Sequence, residues 1–280
     1  MAMIVVDSHL HVWSDDESRY PKRLSDSFVS SNKISGSVEL LLELQAEVGV
    51  DKSVLVQSGS YEYDHSYLFD CCRSYPGKFA SVGLIDPLQK HADRTLRRMV
   101  REEGLGGLRL RPLQTPDDWS WLSDPATDHL WETADNLAIP INILILPNQI
   151  FALEKMVARF PRVKVIIDHM GRQYAEESPH YKSAESLMRL ADYPNTYVKI
   201  SALSAASQQQ YPYEDTTDLV TRIYKRFGAR RLMWGTDFPY VQLNEGYAKA
   251  RQIVEKYSFM SIDDKEWFLG RTALSLYNFD

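Results

Sequence analysis

The 280-residue chain has only two cysteines, and these are neighbours, Cys71 and Cys72. Adjacent thiols build no disulfide framework, so a reducing compartment, the cytoplasm, is expected. No stretch approaches the ~18 apolar residues of a membrane span, so no membrane partner is expected. The first residues lack a basic stretch followed by an apolar one, so no export signal is expected either. No Gly-x-Gly-x-x-Gly turn follows any apolar run, which weighs against an open doubly wound sheet. Basic charge is not in excess: 32 Lys and Arg face 38 Asp and Glu, a net charge of −6. That balance argues against a nucleic-acid partner. It leaves room for a small anionic substrate, because a pocket can be basic locally.

What is present is a rhythm. Short apolar runs at 3–7, 53–57, 79–84, 106–110, 140–146, 163–167, 196–200 and 231–234 read as strands. Helical patterns follow at 37–48, 65–75, 91–103, 125–137, 149–160, 181–192, 214–227, 246–257 and 263–269. Strands alternating with helices imply parallel βαβ units. Eight units in a chain of this length predict an α/β fold, a single (βα)8 TIM barrel spanning 1–280 as one domain. Residues 12–36 are irregular and follow the first strand end, so they are expected to form a lid-like insertion over the mouth.

In such a barrel the chemistry sits at the carboxyl ends of the strands. Strand one delivers His9 and His11, an His-x-His whose side chains share one face and suit a divalent cation. Strand two delivers Gln57, strand four Arg109 and Arg111, and strand five Asn142. Strand six ends in Asp168-His169-Met170-Gly171-Arg172. Strand seven carries Lys199 and Ser201. Strand eight ends in Trp234-Gly235-Thr236-Asp237-Phe238-Pro239-Tyr240. Three histidines and an aspartate thus converge on one mouth. Arg109 and Arg111 are candidates to grip a substrate carboxylate, since a guanidinium matches it in two hydrogen bonds. Lys199, Arg172, Gln57, Asn142 and Tyr240 are further candidates to line the substrate site.

The opening Asp7-Ser8-His9-Leu10-His11-Val12-Trp13, the segment Asp168-His169-Met170-Gly171 and the segment Trp234-Gly235-Thr236-Asp237-Phe238-Pro239 together resemble the amidohydrolase superfamily, in its "amidohydrolase 2" branch. That branch includes 2-pyrone-4,6-dicarboxylate lactonase and sugar-acid lactonases. The resemblance implies that His9, His11, His169 and Asp237 form the active site and hold one divalent metal ion, with zinc the first candidate, or work without one. Many superfamily members carry a bridging lysine or glutamate on strand four and a histidine on strand five; arginines and Asn142 stand there in this chain, which argues against a binuclear site. The implied reaction is opening of a lactone ring in a small, acidic metabolite, with Asp237 as general base and the histidines, with or without metal, activating the carbonyl. The alternative is a metal-dependent decarboxylase of a small aromatic or unsaturated acid. A homo-oligomer is open as well, because many barrels of this size associate.

Overall fold

A computed structural model describes residues 3–23, 34–112, 117–178 and 181–279. Eight parallel strands pair in sequence order: β1 (Val6–Leu10), β2 (Lys52–Val56), β3 (Phe79–Leu84), β4 (Gly107–Leu110), β5 (Ile141–Ile143), β6 (Val165–Ile167), β7 (Thr196–Ile200) and β8 (Leu232–Trp234). Beyond the strand ends β8 returns to β1. An isolated parallel bridge joins Leu10 to Phe238, and the His11 amide donates to the Phe238 carbonyl at 2.6 Å. This is the expected α/β barrel. Its ladders are parallel because helical crossovers return the chain to the same end of the sheet.

Several boundaries differ from expectation. The first strand runs over Val6–Leu10 rather than 3–7. Val5 only leads into it, its amide donating to Asp51 Oδ2 at 2.7 Å. The fifth strand stops at Ile143, because Pro147 opens a 3₁₀ turn, Pro147–Gln149. The sixth begins at Val165, Val163 being held in a turn by Phe160. The helix expected over 181–192 shrinks to Ala184–Leu190, since Tyr181 sits at φ 42°. The last helix is broken into Ile262–Glu266, a π turn Trp267–Arg271, and Thr272–Leu276. Gly270 lies in that turn, where a Cβ would come 1.9 Å from the Ile4 carbonyl oxygen. Only hydrogen fits there, which presses the end of the chain against its beginning.

Of the expected lid, residues 24–33 lie outside the described residues. The flanks pack down. Trp13 is fully buried, with its indole N–H donating to the Ile34 carbonyl at 3.2 Å. The Ser14 amide donates to the Tyr61 hydroxyl at 2.8 Å, and the Arg23 amide to the Ser60 carbonyl at 2.8 Å.

Among the described residues two apolar cores form. The larger lies between strands and helices. The smaller contains alternate residues of the strands, Val54 and Val56, Ala80 and Val82, with Ile166 and Met233, and fills the barrel. Ala273, Tyr277 and Phe279 from the chain's end join this inner core and plug it from the floor.

Candidate active site

The first strand contains the device that aims the histidines. Val6 belongs to the inner core. Strict alternation would then turn residues 8 and 10 inward. Instead the pairing runs Val6 to Lys52, Asp7 to Ser53, and then Leu10 to Leu55, one residue extra on β1. Such a bulge re-aims the side chains beyond it. Leu10 goes to the outer core, and His9 and His11 face into the mouth.

Around Asp237 the geometry is convergent. Its Oδ1 lies 3.5 Å from His11 Nε2, 3.7 Å from His9 Nε2 and 3.9 Å from His169 Nε2. Asp237 adopts φ 62°, a backbone that aspartate tolerates better than most residues. Its amide donates to the His9 carbonyl at 2.8 Å, which ties it to the first strand. Behind it, Gly235 lets β8 approach β1 closely: a Cβ there would meet His9 Cβ at 2.9 Å.

Each imidazole is held from behind through Nδ1. His11 Nδ1 meets the Val56 carbonyl at 2.8 Å, His9 Nδ1 meets Asp168 Oδ1 at 3.2 Å, and His169 Nδ1 meets Ser201 Oγ at 2.9 Å. A carbonyl only accepts, so Nδ1 of His11 carries a proton, while His9 Nδ1 lies between Asp168 Oδ1 and Lys199 Nζ, 3.2 Å from each. Burial pushes the His9 and His169 imidazoles well below the usual histidine range, so both are neutral. Nε2 of His11 and of His9 each faces the Asp237 carboxylate. His9 Nε2 is buried and has no hydrogen-bond partner. Ligand atoms of His9, His11 and Asp237 lie within 4.8 Å of one another. Two imidazole nitrogens and a carboxylate oxygen gathered this closely form a donor set suited to a divalent cation.

Below the rings lies a buried ionic cluster centred on Asp168. Arg109 Nε donates to its Oδ2 at 2.9 Å, and Lys199 Nζ stands 3.2 Å from its Oδ1. Burial pushes the Asp168 carboxyl up, but Lys199, His9 and Arg109 outweigh it and hold it well below the usual range. Asp237 behaves alike: burial raises it, while His169, His11 and Arg172 bring it below the ordinary value. Both acids are therefore ionised at neutral pH.

The expected substrate-lining residues divide by level. Arg172, at φ 56°, is half-buried beside His169, and Tyr240 places its ring 6.0 Å from His11. Arg111 is half-buried and runs beside Gly59, in the turn after β2. These three stand at the mouth. Arg109 is buried with its Nε on Asp168. Lys199 and Asn142 are fully buried and bonded to each other at 2.8 Å, below the rings. Gln57 directs its amide N–H groups to the Glu62 and Asp64 carbonyls, at 3.1 and 2.8 Å. Asp168 entered the expectation only as a motif letter before His169, yet it is the hub of the cluster. A signal for it existed: lysine and arginine inside an apolar barrel need a buried anion, and Asp168 is the acid at the neighbouring strand end. Asp7 was missed likewise. It accepts from the Thr236 amide and hydroxyl at 3.0 and 2.6 Å and from the Tyr247 hydroxyl at 2.9 Å, and so braces both motif strands.

The His9, His11, His169 and Asp237 set thus stands at the carboxyl mouth of a parallel barrel, the end at which enzymes of this fold carry their chemistry. The chain matches the family model described as Amidohydrolase over residues 6–279, and it belongs to that family. It is 25% identical over 240 residues to the L-fucono-1,5-lactonase of Burkholderia ambifaria, covering 85% of this chain and 81% of that protein. It is 24% identical over 238 residues to the 4-sulfomuconolactone hydrolase of Hydrogenophaga intermedia, covering 84% and 74%. In fold it is similar to the crystal structure of an amidohydrolase from Burkholderia multivorans with bound zinc, at a TM-score of 0.83 and 20% identity, covering 99% of this chain and 100% of that one. No described helix is long and apolar enough to cross a membrane.

Neutral burial of imidazoles has a measurable consequence. His65, whose Nε2 accepts from the Leu84 amide at 2.9 Å, is pushed down by burial to about 4. Unfolded histidines titrate near 6.5. Between about pH 6.5 and 4.5 the unfolded chain takes up protons at His9, His65 and His169 that the folded chain refuses. Asp7 opposes this, since burial pushes it up to about 6 and the folded chain holds that proton. Three uptakes against one release make stability fall with acid, by about 1.4 kcal/mol per pH unit for each net proton. The melting midpoint is expected to drop steadily from pH 7 to pH 5. A midpoint that holds or rises over that range would contradict neutral burial.

Proposed function

We propose that this enzyme opens the ring of a small, anionic lactone by adding water to the acyl carbon. The observation that carries it is Asp237 Oδ1 at 3.5–3.9 Å from three imidazole nitrogens. Asp237, ionised at neutral pH, takes a proton from water as the water oxygen bonds to the acyl carbon. The acyl carbon–ring oxygen bond then breaks, and Asp237 returns that proton to the departing alkoxide. Product is a hydroxy acid with every carbon retained. His169 differs from its neighbours because its Nδ1 partner is a hydroxyl, which can donate as well as accept. Its Nε2 can therefore carry a proton toward the developing oxyanion. Among the described residues His9, His11 and Asp237 are the ones close enough together to hold a divalent cation, and His169, expected as a further ligand, stands outside that group; the cation when bound would supply Lewis-acid polarisation of the carbonyl and acidify water. Zinc fits nitrogen and carboxylate donors, and the Burkholderia multivorans fold relative carries it. Arg111 and Arg172 at the mouth, with the Arg109 side chain just below, supply positive charge for a substrate carboxylate.

Relatives named for lactone hydrolysis support this over decarboxylation. The discriminating assay is stoichiometric. Sugar-acid lactones and carboxylated unsaturated lactones are incubated with enzyme under pH-stat, with carbon dioxide trapped. One acid equivalent per turnover with no trapped carbon dioxide is expected. Release of one carbon dioxide per turnover would replace the proposal with decarboxylation. The enzyme is further proposed to act in the cytoplasm on a small molecule, without a nucleic-acid partner.

A further inference from the structure

The plug in the barrel floor reaches the active site. Tyr277 lies just beyond the last helical turn and is buried among the inner-core residues. Its hydroxyl donates to Asn142 Oδ1 at 2.6 Å. The same oxygen accepts from Lys199 Nζ at 2.8 Å. Lys199 in turn stands 3.2 Å from Asp168 Oδ1 and 3.2 Å from His9 Nδ1. A buried chain thus runs from the end of the polypeptide through β5 and β7 to the first imidazole of the mouth.

Donor and acceptor counting says what each link does. An ammonium has three protons, and an amide oxygen two lone pairs. With Tyr277 on one lone pair, Asn142 takes one proton from Lys199. The other two remain for the cluster above, where Asp168 Oδ1 and His9 Nδ1 each lie 3.2 Å from Nζ. Burial keeps the Tyr277 hydroxyl protonated, since it pushes that phenol well above its usual range. Without the hydroxyl, a lone pair is left unpaired in the buried barrel interior and competes for a second Lys199 proton.

We propose that Tyr277 is a positioning residue for catalysis: its hydroxyl, acting through Asn142 and Lys199, fixes Asp168 against His9 and so sets the orientation of the His9 ring. The catalytic part of this rests on lactone opening as the reaction. A residue that merely plugs the barrel would need only its ring.

The test compares Tyr277→Phe, which keeps the ring, with Tyr277→Leu, which removes it. For Tyr277→Phe, kcat on a lactone turned over by the unaltered enzyme is expected to fall about tenfold, with KM within twofold, as for loss of other groups that orient a ligating histidine. The His9 side-chain ¹⁵N resonances, assigned by their absence in His9→Gln and read in the protein as purified, are expected to shift. Asn142→Ala cuts the same chain one link higher, and combined with Tyr277→Phe it should cost no more than the worse single change. That variant also decides the matter if Tyr277→Phe does not fold. Unchanged His9 resonances, an unchanged kcat, or a loss confined to Tyr277→Leu overturns the proposal. If the unaltered enzyme opens no lactone, lactone opening is what fails, and the His9 resonances still decide whether the floor is coupled to the mouth.

Discussion

Asp237→Asn is expected to lower kcat by about a thousandfold, in the middle of the range for loss of a general base. The change removes the charge and keeps the shape. Asparagine tolerates the positive φ of this position, and the amide bond to the His9 carbonyl is untouched. Fold, melting midpoint and binding of the anionic part of the substrate should therefore stay close to those of the unaltered protein. The carboxamide cannot accept the proton of water, and it cannot return one to the alkoxide. Steady-state kinetics with circular dichroism on the same samples checks both halves. Retention of a tenth or more of the original kcat would remove Asp237 from the role of base.

The second large effect falls on stability. Asp168→Asn strips the counter-charge from Arg109 and Lys199, both buried with it. Removing one partner of a buried ion pair costs about 3–5 kcal/mol, because the remaining charge stays desolvated. Asparagine also offers one acceptor oxygen where the carboxylate met three groups, His9 included. Equilibrium urea unfolding should show the loss. A cost below about 1 kcal/mol would mean that the cluster is solvated in a way the geometry denies. Adding Lys199→Met to Asp168→Asn should recover part of the loss, since it removes one orphaned charge.

The barrel was legible in the sequence, because alternating apolar runs and helical patterns leave few ways to bury both. His9, His11, His169 and Asp237 were legible by their place at strand ends, and the structure gathers them around one oxygen. The bulge in β1 was not legible. A local insertion is a matter of pairing with Lys52 to Leu55, which no periodicity in residues 3–11 records. The depth of Lys199 and Asn142 was hidden for a similar reason: a strand pattern tells the face of a residue, not its layer along the barrel axis. Tyr277 escaped altogether. It lies beyond 263–269, the last helix the sequence predicts, and only tertiary packing carries its hydroxyl to a strand 135 residues away.

The central claim is that water held by Asp237 attacks the acyl carbon of a lactone. Hydrolysis in ¹⁸O-enriched water, with the product fragmented in a mass spectrometer, tests it most directly. One ¹⁸O in the new carboxylate and none in the new hydroxyl is the predicted result. Label in the hydroxyl, or a product that has lost a carbon, would contradict it.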